Sequence, residues 1–156
     1  MTVSQDIKTD RYGTPDQAPE VAGPPIDTNC IVYGGTVAIL RSGYVHPSDS
    51  PLSTDEVIGI IAKQTDNRTA SFYGGAQGAT TVPVDRGTFW LNYGAGADAF
   101  TQADCFVTQA FLIDAQTVGK SNPGGGVRPF AGIVKAFDST LSKVAVALGT
   151  SAGTIF

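Results

Sequence analysis

Glycine and proline divide this chain into short apolar segments. Its 156 residues include 19 Gly and 9 Pro, while charged residues make up only 15%. Glycine and proline interrupt helices and central strands, but they suit the tight turns that join short strands. The composition therefore predicts an all-β fold, either a β-sandwich or a jelly-roll-like barrel. A chain of this length buries enough surface to fold as one domain without a metal or a disulfide.

Several segments between these turns show the apolar patterns of strands. The first expected strand is at residues 31–33 and 36–41, with a bulge or tight turn at Gly34-Gly35. The others are at residues 57–63, 67–73, 80–84, 88–93, 106–114, 129–137 and 143–148. Residues 85–87 predict a hairpin turn, residues 57–63 are apolar enough to be buried on both faces, and the last two strands are expected to form a hairpin. For residues 106–114 a helix is also open, but a strand is favoured. Pro83 predicts an edge strand, because proline donates no hydrogen bond to a sheet.

Two of these segments place glycine third in an apolar run. Gly59 follows Val57 and Ile58, and Gly132 follows Phe130 and Ala131. A glycine inside a strand allows a neighbouring backbone or side chain to approach closely. We therefore expect Gly59 and Gly132 to be structural glycines at crowded positions.

The first 30 residues differ in composition from the rest. They contain Pro15, Pro19, Pro24 and Pro25, and their apolar residues show neither helical nor strand periodicity. One interpretation is a disordered tail. The other is an extended arm that becomes ordered on a neighbouring subunit, with Tyr12, Val21 and Ile26 as anchors. The predicted division is an extended or flexible arm at 1–30 and a β domain at 31–156, so that removing residues 1–27 leaves the domain folded.

Trp90 is a candidate contact residue. It alternates with Phe89 and Leu91 in a predicted strand, so one face of that strand is core and the other is exposed or at an interface. A sugar-stacking platform formed with Tyr73 and Tyr93 is an alternative.

The chain shows no convincing catalytic or metal-binding pattern. His46 is the only histidine and has no partner at motif spacing, so we expect a surface residue whose replacement changes nothing. The residues Gly94-x-Gly96-x-x-Ala99 match the pattern of a dinucleotide-binding fingerprint. No alternation of strands and helices surrounds them, so a dinucleotide site is not favoured. The carboxylate pairs Asp49/Asp55 and Asp98/Asp104 lack the loop spacing of a calcium site. No enzyme, metal or cofactor is therefore expected.

The two cysteines, Cys30 and Cys105, lie far apart in sequence. A disulfide between them is open, but reduced, buried thiols are favoured in a protein made in the cytoplasm.

Charge and hydropathy argue against nucleic acid and a membrane as partners. The formal net charge is −4 and the basic residues are scattered, which disfavours nucleic acid. The sequence has no run of 18 apolar residues and no apolar signal core near its start, so we expect neither a membrane span nor secretion.

The order of features from residue 85 to residue 134 resembles the head decoration, or cement, proteins of tailed bacteriophages. These features are Arg86-Gly87, a short aromatic strand, Ala103-Asp104, the Asp-Ala-Gln-Thr-Val run at 114–118 and Ala-Gly-Ile-Val at 131–134. The resemblance covers residues 35–149 approximately and is best at 84–92, 103–104, 113–120 and 130–138. Two features depart from it. Residues 106–109 look like a local insertion, and the last strand, Val144-Ala145-Val146-Ala147, lacks the aromatic residue that is common in the family.

The resemblance implies a virion structural protein. Such a protein binds the outer surface of the phage head, bridges major capsid protein subunits and often forms dimers or trimers. Tyr12, Val21, Ile26 and Trp90 are the candidate capsid contacts. A carbohydrate-binding or host-attachment β-module on the virion is the alternative, because the same fold class and exposed aromatic residues serve both functions.

Overall fold

The computed structural model describes residues 3–12 and 23–149, and within these ranges the fold is nearly all β. The chain forms a sheet followed by a small barrel. Its strands are β1 (Ile31–Val32), β2 (Val37–Arg41), β3 (Tyr44–His46), β4 (Glu56–Ile61), β5 (Thr65–Asp66), β6 (Val84–Asp85), β7 (Thr88–Tyr93), β8 (Gln109–Asp114), β9 (Thr117–Gly119), β10 (Phe130–Asp138) and β11 (Lys143–Leu148).

The helical content is confined to single turns. Two 3₁₀ turns and one helical turn, α1, lie in the barrel connections at Gly96–Asp98, Gln102–Asp104 and Pro123–Gly126. In the part of the chain that the structure describes, no helix has the length and apolar character needed to cross a membrane.

The first half is a four-stranded antiparallel sheet in the order β3-β2-β4-β6, with β1 and β5 paired beside it. Short turns join β2 to β3, so these strands pair directly as a hairpin. The placement of β6 at the end of the sheet agrees with the edge strand that Pro83 predicts.

The second half is a closed barrel in the order β10-β11-β7-β9-β8. Its pairs are antiparallel except for β7 and β9, which run parallel. The final hairpin of β10 and β11 pairs as the sequence predicts, from Gly132 opposite Leu148 to Asp138 opposite Lys143. Buried apolar residues from all five strands belong to one core cluster, which fills the barrel interior, among them Leu91, Leu112, Val118, Val134 and Val146.

The four-stranded sheet is buried on both faces. On one face Val37, Ile39 and Val57 join a core cluster with the barrel residues. On the other face Ala38, Val45 and Ile61 form a second cluster. β4 contributes side chains to both clusters, which explains why the run at 57–63 is apolar almost throughout. The burial on both faces agrees with the sequence prediction.

Gly59 and Gly132 lie at two similar irregularities. In the pairing of β2 with β4, Ala38 faces Gly59 and Ile39 faces Val57, so Ile58 is an extra residue. In the pairing of β8 with β10, Ala131 is the extra residue before Gly132. A Cβ on Gly59 would overlap the carbonyl oxygen of Asp85, and one on Gly132 would overlap that of Ala147. Neighbouring backbones thus approach both glycines closely.

Three sequence expectations were wrong in detail. Residues 85–87 do not make a hairpin, because β6 pairs in the sheet whereas β7 pairs in the barrel. The turn instead carries the chain from one half to the other. None of residues 67–73 belongs to a strand, and of residues 80–84 only Val84 does, because the polar residues between them form turns. The strand expected at 106–114 begins at Gln109.

Candidate functional site

The first described residues lie along the edge of the barrel. The Trp90 N–H donates to the Asp10 carbonyl at 3.0 Å, and the Tyr12 N–H donates to the Thr88 carbonyl at 2.7 Å. Arg11 and Phe89 form an antiparallel bridge between these two bonds. Because β9 pairs with β7 only at Asn92 and Tyr93, residues 10–12 continue the same edge of β7. This segment is therefore extended, and it is docked on its own chain.

The same segment also contacts the sheet half. The Ile7 N–H donates to the Gly34 carbonyl and the Gly34 N–H donates to Asp6 Oδ1, both at 2.7 Å. Nearer the start of the chain, the Val3 N–H donates to Asp49 Oδ1 at 3.2 Å. Residues 3–12 thus connect the two halves of the fold by hydrogen bonds from both their backbone and their side chains.

Tyr12 and Trp90 form an aromatic pair at this edge. Their ring centroids are 5.5 Å apart and their planes meet at 87°, an edge-to-face contact. Tyr12 is 41% exposed and Trp90 is half-buried, so the pair presents aromatic surface to solvent. Beside it, the Arg11 guanidinium lies 4.8 Å from the centroid of the buried Phe89 ring.

Ile26 is not an anchor for another subunit. Its side chain is fully buried in the second core cluster with Val45 and Val82. The Ile26 N–H donates to the Thr80 carbonyl at 3.0 Å, and its own carbonyl accepts from Gly78 at 2.8 Å. Residues 23–30 therefore belong to the domain, and the boundary predicted at residue 30 is wrong. Val21 lies outside the described residues.

The expectation that residues 1–27 are dispensable for folding is also wrong. Removing them would open the core around Ile26 and break the bonds that residues 3–12 make with both halves. The sequence did not indicate that this segment belongs to the domain, because isolated apolar residues among prolines show no periodicity, whichever surface they pack against.

The expectation that His46 has no partner is wrong as well. His46 Nδ1 lies 3.0 Å from Asp27 Oδ2, and Asp27 also accepts from the Thr28 N–H and from Gln77 Nε2. Burial raises the pKa of Asp27, but these bonds outweigh it and the pKa is lowered overall. The pair joins β3 to the segment before β1 and has a structural role.

Of the four carboxylates considered as calcium ligands, Asp55, Asp98 and Asp104 are held by basic side chains, whereas Asp49 accepts from the Val3 N–H. Arg41 donates to both oxygens of Asp55 at 2.8 Å. Arg128 Nη1 lies 2.7 Å from Asp98, and Lys120 Nζ lies 2.9 Å from Asp104. These contacts join loops to strands of the barrel and sheet. Among residues 3–12 and 23–149, no three His, Cys, Asp or Glu side chains are grouped to hold a metal ion.

Both cysteines are free thiols and are partly buried. Cys30 packs against the second core cluster and Cys105 against the first. Burial, together with the negative charge of Asp27, raises the pKa of Cys30 to about 11.

Sequence reasoning missed a second exposed aromatic site. Phe72 is 94% exposed and makes an edge-to-face contact with Tyr73, with ring centroids 5.2 Å apart. The two rings stand beside an open groove of about 630 Å³ in the sheet half. The available signal was the sequence Phe72-Tyr73-Gly74-Gly75, in which adjacent aromatic residues precede a turn that has no core position for both.

Comparisons with protein-family models, with curated proteins and with solved structures found no match to the chain.

Proposed function

We propose that this chain is a virion structural protein that binds the outer surface of a tailed-phage head. In this role it stabilises the capsid lattice by bridging neighbouring major capsid protein subunits, and it binds there as a dimer or trimer. The observation that carries the proposal is the Tyr12–Trp90 pair, where the N-terminal segment crosses the barrel edge and presents aromatic surface. Aromatic side chains on ordered backbone are the usual anchors of protein interfaces.

The distribution of the sequence resemblance supports this proposal. The segments at 113–120 and 130–138 contribute to β8, β9 and β10 of the barrel. The apparent insertion at 106–109 lies at the surface, where Phe106 is 69% and Val107 is 74% exposed. Several of the best-matching segments therefore belong to the barrel framework, and the apparent insertion lies in a loop, the usual location of insertions within a fold. The second departure, the final strand without an aromatic residue, lies in β11.

Charge and mass action suit an outer position on the shell. A net charge of −4 disfavours contact with the packaged genome. A ligand that binds only the assembled lattice stabilises that lattice through its binding free energy, and many equivalent sites add their contributions. Modest affinity at each site is then sufficient.

The test is a co-sedimentation assay with expanded heads of the phage that encodes the chain. Purified protein should bind these heads at a fixed stoichiometry and should not bind unassembled capsid subunits. Tyr12→Ala and Trp90→Ala should each weaken binding at least tenfold, because each removes one ring of the pair. Leu141→Ala, which shortens another exposed apolar side chain (64% exposed), is the matched control and should bind like wild type.

Three results would contradict the proposal: equal binding to free subunits, no binding to heads, or unchanged affinity in both aromatic variants. Circular dichroism of each variant is needed beside the assay, because Trp90 is half-buried and its loss alters packing within the barrel edge.

A further inference from the structure

The groove beside Phe72 is separate from the Tyr12–Trp90 edge. One of its walls is the segment 63–66, which includes β5, and the other is the segment 80–83 that leads into β6. The turn at 71–73 closes one side. The groove is open to solvent and has a volume of about 630 Å³, which is in the range of small-molecule sites.

The turn that carries Phe72 is held in place by the side chains of Asn67 and Asn29. Asn67 is fully buried, and its Nδ2 donates to the carbonyls of Asp27 at 2.9 Å and Ala76 at 2.8 Å. Its Oδ1 accepts from the Gly75 N–H at 3.2 Å. Asn29 Oδ1 accepts from the Thr69 N–H at 2.8 Å. Asn67, which is buried, and Asn29, which is exposed, therefore fix both ends of the turn.

This arrangement places an exposed aromatic ring on ordered backbone. An exposed Phe gains nothing from folding, since its surface stays in contact with water. When the backbone beneath such a ring is already ordered, the protein loses little conformational entropy as a ligand covers the ring. A fixed, exposed aromatic ring beside a groove thus has the properties of a binding platform.

The groove lining selects the class of ligand. Hydroxyl and amide groups dominate it, with Gln64, Ser71, Thr80 and Thr81 all present. Its charged residues are Lys63 and Asp66, so it has no surplus of either sign. Arg68, which pairs with Asp66 at 2.7 Å, is not among the residues that line the groove. Phosphate or sulfate groups would find no cationic cluster, and an apolar peptide would leave these polar groups unpaired.

We propose that this groove binds a neutral oligosaccharide. The C–H groups on one face of a sugar ring pack against the negative face of the Phe72 ring, with Tyr73 beside it. The sugar hydroxyls exchange hydrogen bonds with Gln64, Ser71 and Thr80, which are donors and acceptors. The proposal is independent of head binding, because none of these residues belongs to the Tyr12–Trp90 edge.

The test uses the full chain on an array of oligosaccharides. The array carries neutral glycans built from glucose, galactose, mannose and N-acetylhexosamines, together with sialylated and sulfated glycans. We expect binding to members of the neutral set above the charged set. Titration calorimetry with the best neutral glycan should show an affinity at least tenfold lower for Phe72→Ala and several-fold lower for Gln64→Ala.

The matched control is Phe106→Ala, which removes another exposed Phe ring, away from the groove. It should bind the glycan like wild type. Thermal melting should show that Phe72→Ala folds normally, since that side chain is 94% exposed. Absence of binding to every neutral glycan, preference for charged glycans, or equal losses in Phe72→Ala and Phe106→Ala would each overturn the proposal. Loss of head binding in Phe72→Ala without glycan binding would show a protein contact there instead.

Discussion

Gly59 and Gly132 occupy equivalent positions in the two halves of the fold. Each follows a bulged residue, Ile58 in one case and Ala131 in the other. Each also faces a carbonyl oxygen of the strand on its other side, from Asp85 or from Ala147. Both glycines have a φ of 157°. The five-residue sequence echo around them therefore corresponds to a shared local geometry.

Replacing either glycine with alanine should destabilise the protein. The new Cβ would overlap a backbone carbonyl, and the strands must separate to accommodate it. We expect Gly59→Ala and Gly132→Ala each to lower the free energy of unfolding by about 2–3 kcal/mol. Chemical denaturation measures this, with Gly43→Ala as control. A Cβ on Gly43 has no neighbouring atom within 4 Å, so that variant should lose only about 1 kcal/mol for its left-handed backbone. Wild-type stability at Gly59 or Gly132 would contradict the observed packing.

Ile26 should behave as a core residue. Because its side chain is fully buried, Ile26→Ala should lower the free energy of unfolding by about 2–5 kcal/mol through lost burial and the remaining cavity. Leu52→Ala is the control, since Leu52 is 50% exposed and should change stability by less than about 0.5 kcal/mol. Equal, small effects in urea denaturation would show that residues 23–30 are not part of the domain.

Protonation of Asp104 should lower the stability of the folded protein at low pH. Burial opposes its ionisation, but Lys120, the Thr101 N–H and the Thr108 hydroxyl outweigh this and lower its pKa to about 2. A carboxylate whose pKa is lowered by folding stabilises the protein above its unfolded pKa near 4, and that contribution disappears as the pH falls towards 2. Asp104→Asn should therefore be less stable at pH 7 and should show a shallower decline in Tm between pH 4 and pH 2. A decline as steep as in wild type would show that other groups cause it.

Cys30 should react slowly with alkylating reagents. Its raised pKa of about 11 leaves little thiolate at pH 8, and thiolate is the reactive form. In Cys105→Ser, which leaves Cys30 as the single thiol, iodoacetamide labelling at pH 8 should be about a hundredfold slower than in a short cysteine peptide. Mass spectrometry gives the rate, and urea-unfolded protein is the control that should label quickly. Rapid labelling of the folded protein would contradict the burial of this thiol.

Local patterns predicted the elements that depend on local contacts. The hairpin of β10 and β11 follows from two apolar runs on either side of a polar turn, and the pairing is between sequence neighbours. The close approach at Gly59 and Gly132 follows from glycine in an apolar strand. Both features are visible in short windows of sequence.

The misplaced elements depend on contacts that are distant in sequence. Ile26 packs on Val45 and Val82, and nothing near Ile26 indicates either partner. His46 meets Asp27 only because β3 lies beside the segment before β1. The local sequence Phe72-Tyr73-Gly74-Gly75 indicates an exposed aromatic turn, but the position of that turn depends on Asn29 and on the Asp27 carbonyl, about 40 residues away in sequence.

Decoration of the outside of a phage head by this chain is tested most directly by a difference map, from electron cryomicroscopy, between heads with and without the protein. We expect additional density of the size of this domain on the outer surface, where it bridges adjacent major capsid protein subunits at every equivalent position. Density at the tail or inside the shell, or no additional density at saturating protein, would contradict it.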